Sequence, residues 1–492
     1  MDRIIFKQRY GETEEAAKTL DAYLIGAKYC LAGHFSMYPP TSIPELNFEP
    51  REEIQKQINQ GKNKPVGLYI HWPFCKLPHN KVKCDFCCSN ARNDNKSKAL
   101  RDEYFKAIIK EITLYSDLLK GNHLEWVYIG GGTPLTMTAD ELDRLFNILY
   151  TTELIDRETF ITVESRPEMI NNIKVSILKK HNIRRISMGA ESFNNEIAIT
   201  MGRVRSDNNY KEIVKNAIDI LKKAEIPFIN IDLIYGHPMD TYETVMESVE
   251  YAASLEPDSI SAYAMGMPFG LTLIEQDVRK GLKLKDMEFR YEAYVMINKF
   301  LKGKGYGDVY DCIWSKYEVD SYRTLTNKKG IVNMWNQTCI LPYGIWIGVG
   351  IGAYGYIGGV GPTQNTNDLE KYIELISKGK LGVTEGIKYE IDEILRAEIV
   401  LSLLHRTIDV NRFINCYGVH PTDIFPIELD LLKSRGFIEY SGNEIKVTPK
   451  AIPLLQGIAR LFFSSEFEKN YRALENRRID YKTYGISYNE LP

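Results

Sequence analysis

Apolar positions along the chain follow two periods. Six runs rich in β-branched and aromatic residues, 67–72, 124–130, 159–165, 183–192, 227–236 and 258–266, have the length and composition of strands. Between them, stretches such as 100–119 and 210–224 repeat apolar residues every three to four positions, the signature of helices with one buried face. Strands alternating with helices predict a parallel sheet with helices packed outside it. The unusual residues recur at the C-terminal ends of many strands instead of at a single crossover point, so the pattern favours a barrel over a doubly wound sheet.

Outside this alternating block the periodicity changes. The first 64 residues read as a helical arm followed by the loop "FSMYPPT" at 35–41. From about residue 386 the pattern becomes helical again, and "GFIEYSGNEIKVTPKA" at 436–451 reads as a small hairpin leading into a helix. Residues 344–361 carry no charge, but 8 of these 18 residues are glycine and none is leucine, which predicts a glycine-rich strand and loop and not a membrane span. The N-terminal stretch lacks the apolar core and small-residue cleavage site of a secretory signal, so the expected location is cytoplasmic.

Composition changes this picture little. At 492 residues the chain exceeds what one hydrophobic core usually serves, and an apolar fraction of 44% with a charged fraction of 26% is that of an ordinary globular protein. A formal charge of −3 provides no global basic field for nucleic acid or an anionic membrane, so any anion site must be local.

The cysteines carry the chemistry. Eight are present, at 30, 75, 84, 87, 88, 312, 339 and 416, and four fall within "CKLPHNKVKCDFCC", directly after the first strand. A structural zinc site usually needs a second Cys-x₂-Cys knuckle or a Cys/His pair, and none follows at suitable spacing. Buried core cysteines would not be surrounded by Lys76, His79, Asn80, Lys81, Lys83 and Asp85. Thiolates converging on an iron–sulfur cluster fit best, and three ligands would leave one iron open.

Taken with the segments "YIHWPFC" and "CDFC", "YIGGGTP" (128–134), "VESRPE" (163–168), "ISMGAESFN" (186–194), "MGRVR" (201–205) and "NIDLIYGHP" (230–238), the chain resembles the radical SAM enzymes of the oxygen-independent coproporphyrinogen III oxidase type. The "FSMYPPT" loop and the C-terminal hairpin are also similar to parts of those oxidases. The resemblance implies an α/β radical SAM (β/α)6 partial TIM barrel at 65–365, an N-terminal helical arm and Tyr-Pro loop at 1–64, and a small, mostly helical C-terminal domain with its tail at 366–492. Implied cofactors are a [4Fe–4S] cluster, held by Cys75, Cys84 and Cys87, and S-adenosylmethionine (SAM), chelated at the open iron.

The same resemblance implies roles for other positions. Tyr69 and Phe86 would border the bound SAM. Gly131, Gly132 and Thr133 would let backbone groups approach it closely, as missing side chains permit. Glu164 and Glu191 would face it, Arg203 would take the methionyl carboxylate through a planar guanidinium, and Asp232 would accept from ribose hydroxyls. Gly266 and "GIGAY" (350–354), including Tyr354, correspond to adenine-side contacts. No catalytic residue is implied beyond the cluster and SAM site. Three departures stand out: eight residues separate Cys75 from Cys84 where the family has three, Glu191 replaces a glutamine, and Cys88 directly follows Cys87.

The expected activity is reductive cleavage of SAM to a 5′-deoxyadenosyl radical for oxidative decarboxylation of a porphyrinogen. The alternatives are radical C-methylation or cyclopropanation, and haem trafficking. Relatives that traffic haem commonly carry a His-Asn-x-x-Tyr-Trp segment, and "IVNMWNQTC" at 331–339 has no histidine. Expected partners are a small-molecule substrate, with a tetrapyrrole the leading class, and an external electron donor such as flavodoxin or ferredoxin. Anaerobically purified protein should hold about four irons per chain, as one cube requires. Cys88→Ser should keep that iron and Cys75→Ser should lose it; the reverse result, read by iron analysis, would exchange their roles.

Overall fold

The computed structural model of the protein describes residues 8–29, 43–60, 65–76, 84, 86–87, 92–93, 98–204, 209–265, 285, 287–310, 312–317 and 344–469. The "FSMYPPT" segment, residues 78–80, Cys88, Arg205, Gly266 and the segment 331–339 lie outside them.

The six predicted strands form at β1 (Val66–Trp72), β2 (Trp126–Gly131), β3 (Phe160–Ser165), β4 (Arg185–Glu191), β5 (Phe228–Tyr235) and β6 (Ser259–Ala264). Each pairs in parallel with the next. Six further strands complete the sheet: β7 (Gly307–Tyr310), β8 (Ile313–Ser315), β9 (Ile345–Val349), β10 (Tyr354–Ile357), β11 (Gly361–Asn365) and β12 (Val383–Gly386). The spatial order is β12-β11-β10-β9-β1-β2-β3-β4-β5-β6-β8-β7, so the sheet is open and the barrel is partial. Strand β9 lies parallel to β1 although most of the chain separates them, whereas the outer strands on both flanks run antiparallel. The glycine-rich stretch thus forms β9, β10 and the loop between them. Among the described residues no helix is long and apolar enough to cross a membrane.

Strand alternation sends every second side chain to opposite faces, and here the two faces differ in chemistry. Val66, Leu68, Ile70, Trp72, Val127, Ile129, Ile161, Val163, Ile186, Met188, Ile229 and Ile231 form one apolar cluster with the helices that follow the strands. The opposite face carries Tyr69, Tyr128, Glu164, Ser187, Asn230 and Asp232. Local signals start the helices where the strands end. Thr138 and Glu141 form a reciprocal capping box at helix Ala139–Thr151, and Asn171, Asn194 and Asn209 each cap a helix through their side chains.

A second core gathers Leu395, Ile399, Leu403, Phe413, Phe425, Leu432 and Phe462 from the C-terminal helices with Ala16 and Leu20 of helix Thr13–Tyr29. Arg9 Nη1 donates to the carbonyls of Arg460 (3.2 Å) and Phe463 (2.9 Å), pinning the N-terminal arm to this unit. The predicted hairpin is present at Ile438–Ser441 and Glu444–Val447, with Thr407–Asp409 as its third strand. The second core is continuous with Tyr69, Trp126, Tyr128 and Trp346 on the inner face of the large sheet.

Glu111, fully buried on helix Lys98–Leu118, ties the β9 side of the sheet together. Its carboxylate accepts from Gly350 N (3.0 Å), Gly382 N (2.8 Å), Tyr372 Oη (2.6 Å) and Asn365 Nδ2 (3.4 Å). Burial pushes this carboxyl up to about 7, although all four donors favour the ionised form. Glu111→Gln would turn an amide N–H towards these donors and should cost about 2 kcal/mol or more in chemical denaturation. Because the folded-state value lies above the ordinary carboxylate range, this group's contribution to stability is present at low pH and is lost as pH rises towards about 7. The variant should lack that component, and matching stability profiles for the two proteins would show the carboxylate to be dispensable.

Candidate cofactor site

The C-terminal ends of β1 to β5 meet around one opening. Gly131, Gly132, Phe86, Cys87, Glu164, Gly189 and Asp232 are each part-exposed in an otherwise buried neighbourhood, so they line a space that a ligand can enter. Close backbone approach builds one wall. Gly132 N donates to Trp72 O (2.6 Å) and Thr133 N to Phe74 O (3.0 Å), stitching the end of β2 to the segment that enters Cys75. A Cβ at Gly132 would lie 2.6 Å from Pro73 O, and Gly131 has φ +108° with His71 directly opposite. Thr133 Oγ1 then reaches Cys75 Sγ at 3.5 Å.

Cys75 and Cys84 are 7% and 6% exposed and pack in one cluster with Phe86 and Cys87, so the long spacing in the sequence still ends in convergence. The amide of Cys87 donates to Cys84 O (3.1 Å) in a tight turn. Burial pushes the Cys75 thiol up, opposed by the Thr133 hydroxyl. Two guanidiniums face the Cys84 sulfur: Arg203 Nη1 at 3.7 Å and Arg166 Nη1 at 3.8 Å. Among the described residues no three His, Cys, Asp or Glu side chains are grouped around a single-ion position. Thiolates of an iron–sulfur cluster bind separate irons, and three clustered thiols flanked by cations suit such an anionic group.

Three carboxylates occupy the opposite wall. Tyr128 Oη donates to Glu164 Oε1 (2.6 Å), and Gly131 N donates to Oε2 (3.3 Å). Asp232 accepts from Ser187 Oγ (2.8 Å) and Asn230 Nδ2 (2.8 Å). Glu191 sits 3.6 Å from Arg203 Nη2, which also donates to Gly189 O. Burial pushes Glu164 and Glu191 up to about 7 and raises Asp232, and the Asp232 charge raises both glutamates further. Glu191 adopts φ +66° where β4 slips register against β5 between Gly189 and Glu191, a bulge that re-aims its side chain. A non-glycine residue in that region is strained, and such strain gathers at functional sites.

The fold therefore brings together Cys75, Cys84, Cys87, Phe86, Gly131, Gly132, Thr133, Glu164, Glu191, Arg203 and Asp232. Tyr69 lies one shell away, its hydroxyl 3.0 Å from His71 Nδ1 and its ring beside Tyr128. Tyr354 is 39% exposed at the start of β10, beyond the loop that Tyr104 holds by donating to His71 O (2.6 Å) and accepting from Ile351 N (3.1 Å). The partners of the carboxylates, Tyr128, Ser187 and Asn230, were not singled out in the sequence. Their signal was the strand alternation itself, which places them on the face of Glu164 and Asp232.

Residues 69–252 match the family model described as the radical SAM superfamily. That segment of the chain is a radical SAM domain. The cofactors of the superfamily, a [4Fe–4S] cluster and SAM, are accordingly its cofactors. The chain is 23% identical over 457 residues to the oxygen-independent coproporphyrinogen III oxidase of Synechocystis sp., covering 90% of this chain and 95% of that one. The Escherichia coli enzyme of the same name is 25% identical over 443 residues, covering 88% and 93%. The heme chaperone HemW of Bacillus subtilis is 26% identical over 387 residues, covering 78% and 95%. The solved structure of coproporphyrinogen III oxidase (HemN) from Escherichia coli shares the fold with a TM-score of 0.72 at 22% identity, over 88% of this chain and 97% of that one.

The two arginine-linked groups should respond differently to substitution. Arg203→Ala should weaken SAM binding about tenfold, or about 1.4 kcal/mol. Glu191→Gln, which keeps an acceptor at the bulge, should stay within about twofold of wild type, or about 0.4 kcal/mol. Equilibrium dialysis of the iron-loaded protein reads both, and an unaltered affinity in Arg203→Ala would remove that residue from the SAM site.

Proposed function

We propose that the protein is a radical SAM oxidoreductase that decarboxylates the propionate arms of a porphyrinogen. The similarity to the coproporphyrinogen oxidases carries this reading: it extends over 88–90% of the chain, well beyond the radical SAM segment into both flanking parts. When bound, the cluster and SAM supply a one-electron reduction that releases a carbon radical able to take hydrogen from the substrate.

The chain's own residues bind, orient and shield. Cys75, Cys84 and Cys87 hold the cluster, and Thr133 keeps Cys75 in place. Arg203 takes the methionyl carboxylate, while Glu164, Glu191 and Asp232 accept hydrogen bonds from the ammonium and ribose hydroxyls. The close approach of the Gly132 backbone to Trp72 and Pro73 brings that wall together without side chains. The electron comes from an external one-electron donor such as a flavodoxin or ferredoxin, and the protein works in the cytoplasm.

Two other readings have their own support. The HemW chaperones match at similar identity, but over a smaller share of this chain, 64–81%, which favours the oxidase. Radical C-methylation gains weight from the cation supply: Arg166 is buried and engaged with protein atoms and Arg203 is committed to SAM, so neither is available to a propionate.

Incubation with coproporphyrinogen III, SAM and a reductant under anaerobic conditions separates the three. Release of CO2 from the propionate arms with formation of 5′-deoxyadenosine is the expected outcome. A labelled methyl group passing from SAM to product would instead establish the methylase, and stable haem retention with neither product would establish the chaperone.

A further inference from the structure

Arg166 stands at the end of β3, next to Ser165, and is 4% exposed. All of its guanidinium is engaged. Nη1 points at Cys84 Sγ (3.8 Å), Nη2 donates to the backbone carbonyl of Arg203 (2.7 Å), and Nε and Nη2 pair with the Glu168 carboxylate at 3.3 and 3.1 Å. Arg203 approaches the same sulfur from its own side, at 3.7 Å, but shares its charge with Glu191 and Gly189 O. Cys84 is thus the thiol on which two cationic N–H groups converge, while Cys75 receives a neutral hydroxyl from Thr133.

We propose that Arg166 is a positioning residue that acts through Cys84 to set the reduction potential of the cluster. The inference rests on Cys84 being a cluster ligand. The reduction potential of an iron–sulfur cluster depends on net charge, on hydrogen bonds to its sulfurs and on exposure to solvent. In the reducing step an external donor loses one electron and the cluster gains it, no bond in the protein breaks and no proton moves. The reduced cluster carries one more negative charge, and an N–H donor bearing a permanent positive charge stabilises that state more than the oxidised one. Arginine is suited to this task because its planar guanidinium presents several N–H donors at once, so one faces Cys84 while the others are held by Glu168 and the Arg203 carbonyl. Glu168 works against it: the carboxylate fixes the guanidinium in place and offsets part of its charge.

These opposed roles yield opposite shifts. Anaerobically reconstituted protein, without SAM, is titrated with mediators while the reduced cluster is followed by electron paramagnetic resonance and iron is quantified. Arg166→Met should lower the reduced-to-oxidised ratio at a fixed donor potential about tenfold, a downward shift of about 59 mV for a one-electron couple. Arg166→Lys, which keeps the charge, should recover most of it. Glu168→Gln should raise the potential. Full iron content with an unshifted potential in Arg166→Met overturns the proposal. If Arg166→Met fails to hold iron, Glu168→Gln decides: a raised potential supports the proposal, and an unchanged or lowered one overturns it. Absence of iron from the wild-type protein would instead remove Cys84 as a ligand and with it the underlying reading.

Discussion

Three carboxylates on neighbouring parallel strands, Glu164, Glu191 and Asp232, share one enclosed opening, and that is the constraint around which the centre of the molecule is arranged. Removed from bulk water and close to one another, such groups resist ionisation. The fold answers each separately. Tyr128 and Gly131 N serve Glu164, Ser187 and Asn230 serve Asp232, and Arg203 serves Glu191. Apart from Arg203, which follows helix Asn195–Thr200, these partners lie on the inner face or at the strand ends, so the pleat that collects the acids collects most of their donors too.

Arg203 and Arg166 join this acidic wall to the thiol pocket. Each guanidinium touches Cys84 on one side and a carboxylate on the other, Glu191 for Arg203 and Glu168 for Arg166. Burying the two cations together is tolerable because acceptors surround both. One consequence is positional precision for the sulfur, since the Arg166 side chain also holds the Arg203 backbone. Another is that the Arg166 guanidinium is fully engaged by protein atoms.

The remainder of the chain steadies this centre from outside. Helix Lys98–Leu118 reaches the β9 loop through Tyr104 and Glu111, which fixes the far flank of the opening relative to β1. The C-terminal helices and the N-terminal arm bury their apolar faces in a common core that runs on to Trp126 and Trp346 beneath the acidic layer. A polar cavity is therefore bounded by two apolar cores, one behind the sheet and one below it.

Strand positions, helix periods and the crowding of thiols after the first strand were legible in the sequence because they depend on local spacing. Alternation over "GLYIHW", "WVYIGG" and "FINIDLIY" is visible in any extended segment, and glycine at 131 and 132 marks a close approach whatever it faces. The spacing of Cys75 from Cys84 left open whether the two thiols meet, and only the packed chain brings them into one cluster with Phe86 and Cys87. Nor could local sequence tell that Arg166 serves Cys84 instead of a substrate, that Glu191 is turned inward by a bulge against β5, or that Glu111 gathers donors from three distant segments. Those facts are pairings between residues tens to hundreds of positions apart. Their energies depend on the burial and geometry that exist only once the strands have aligned, so the tertiary structure alone decides them.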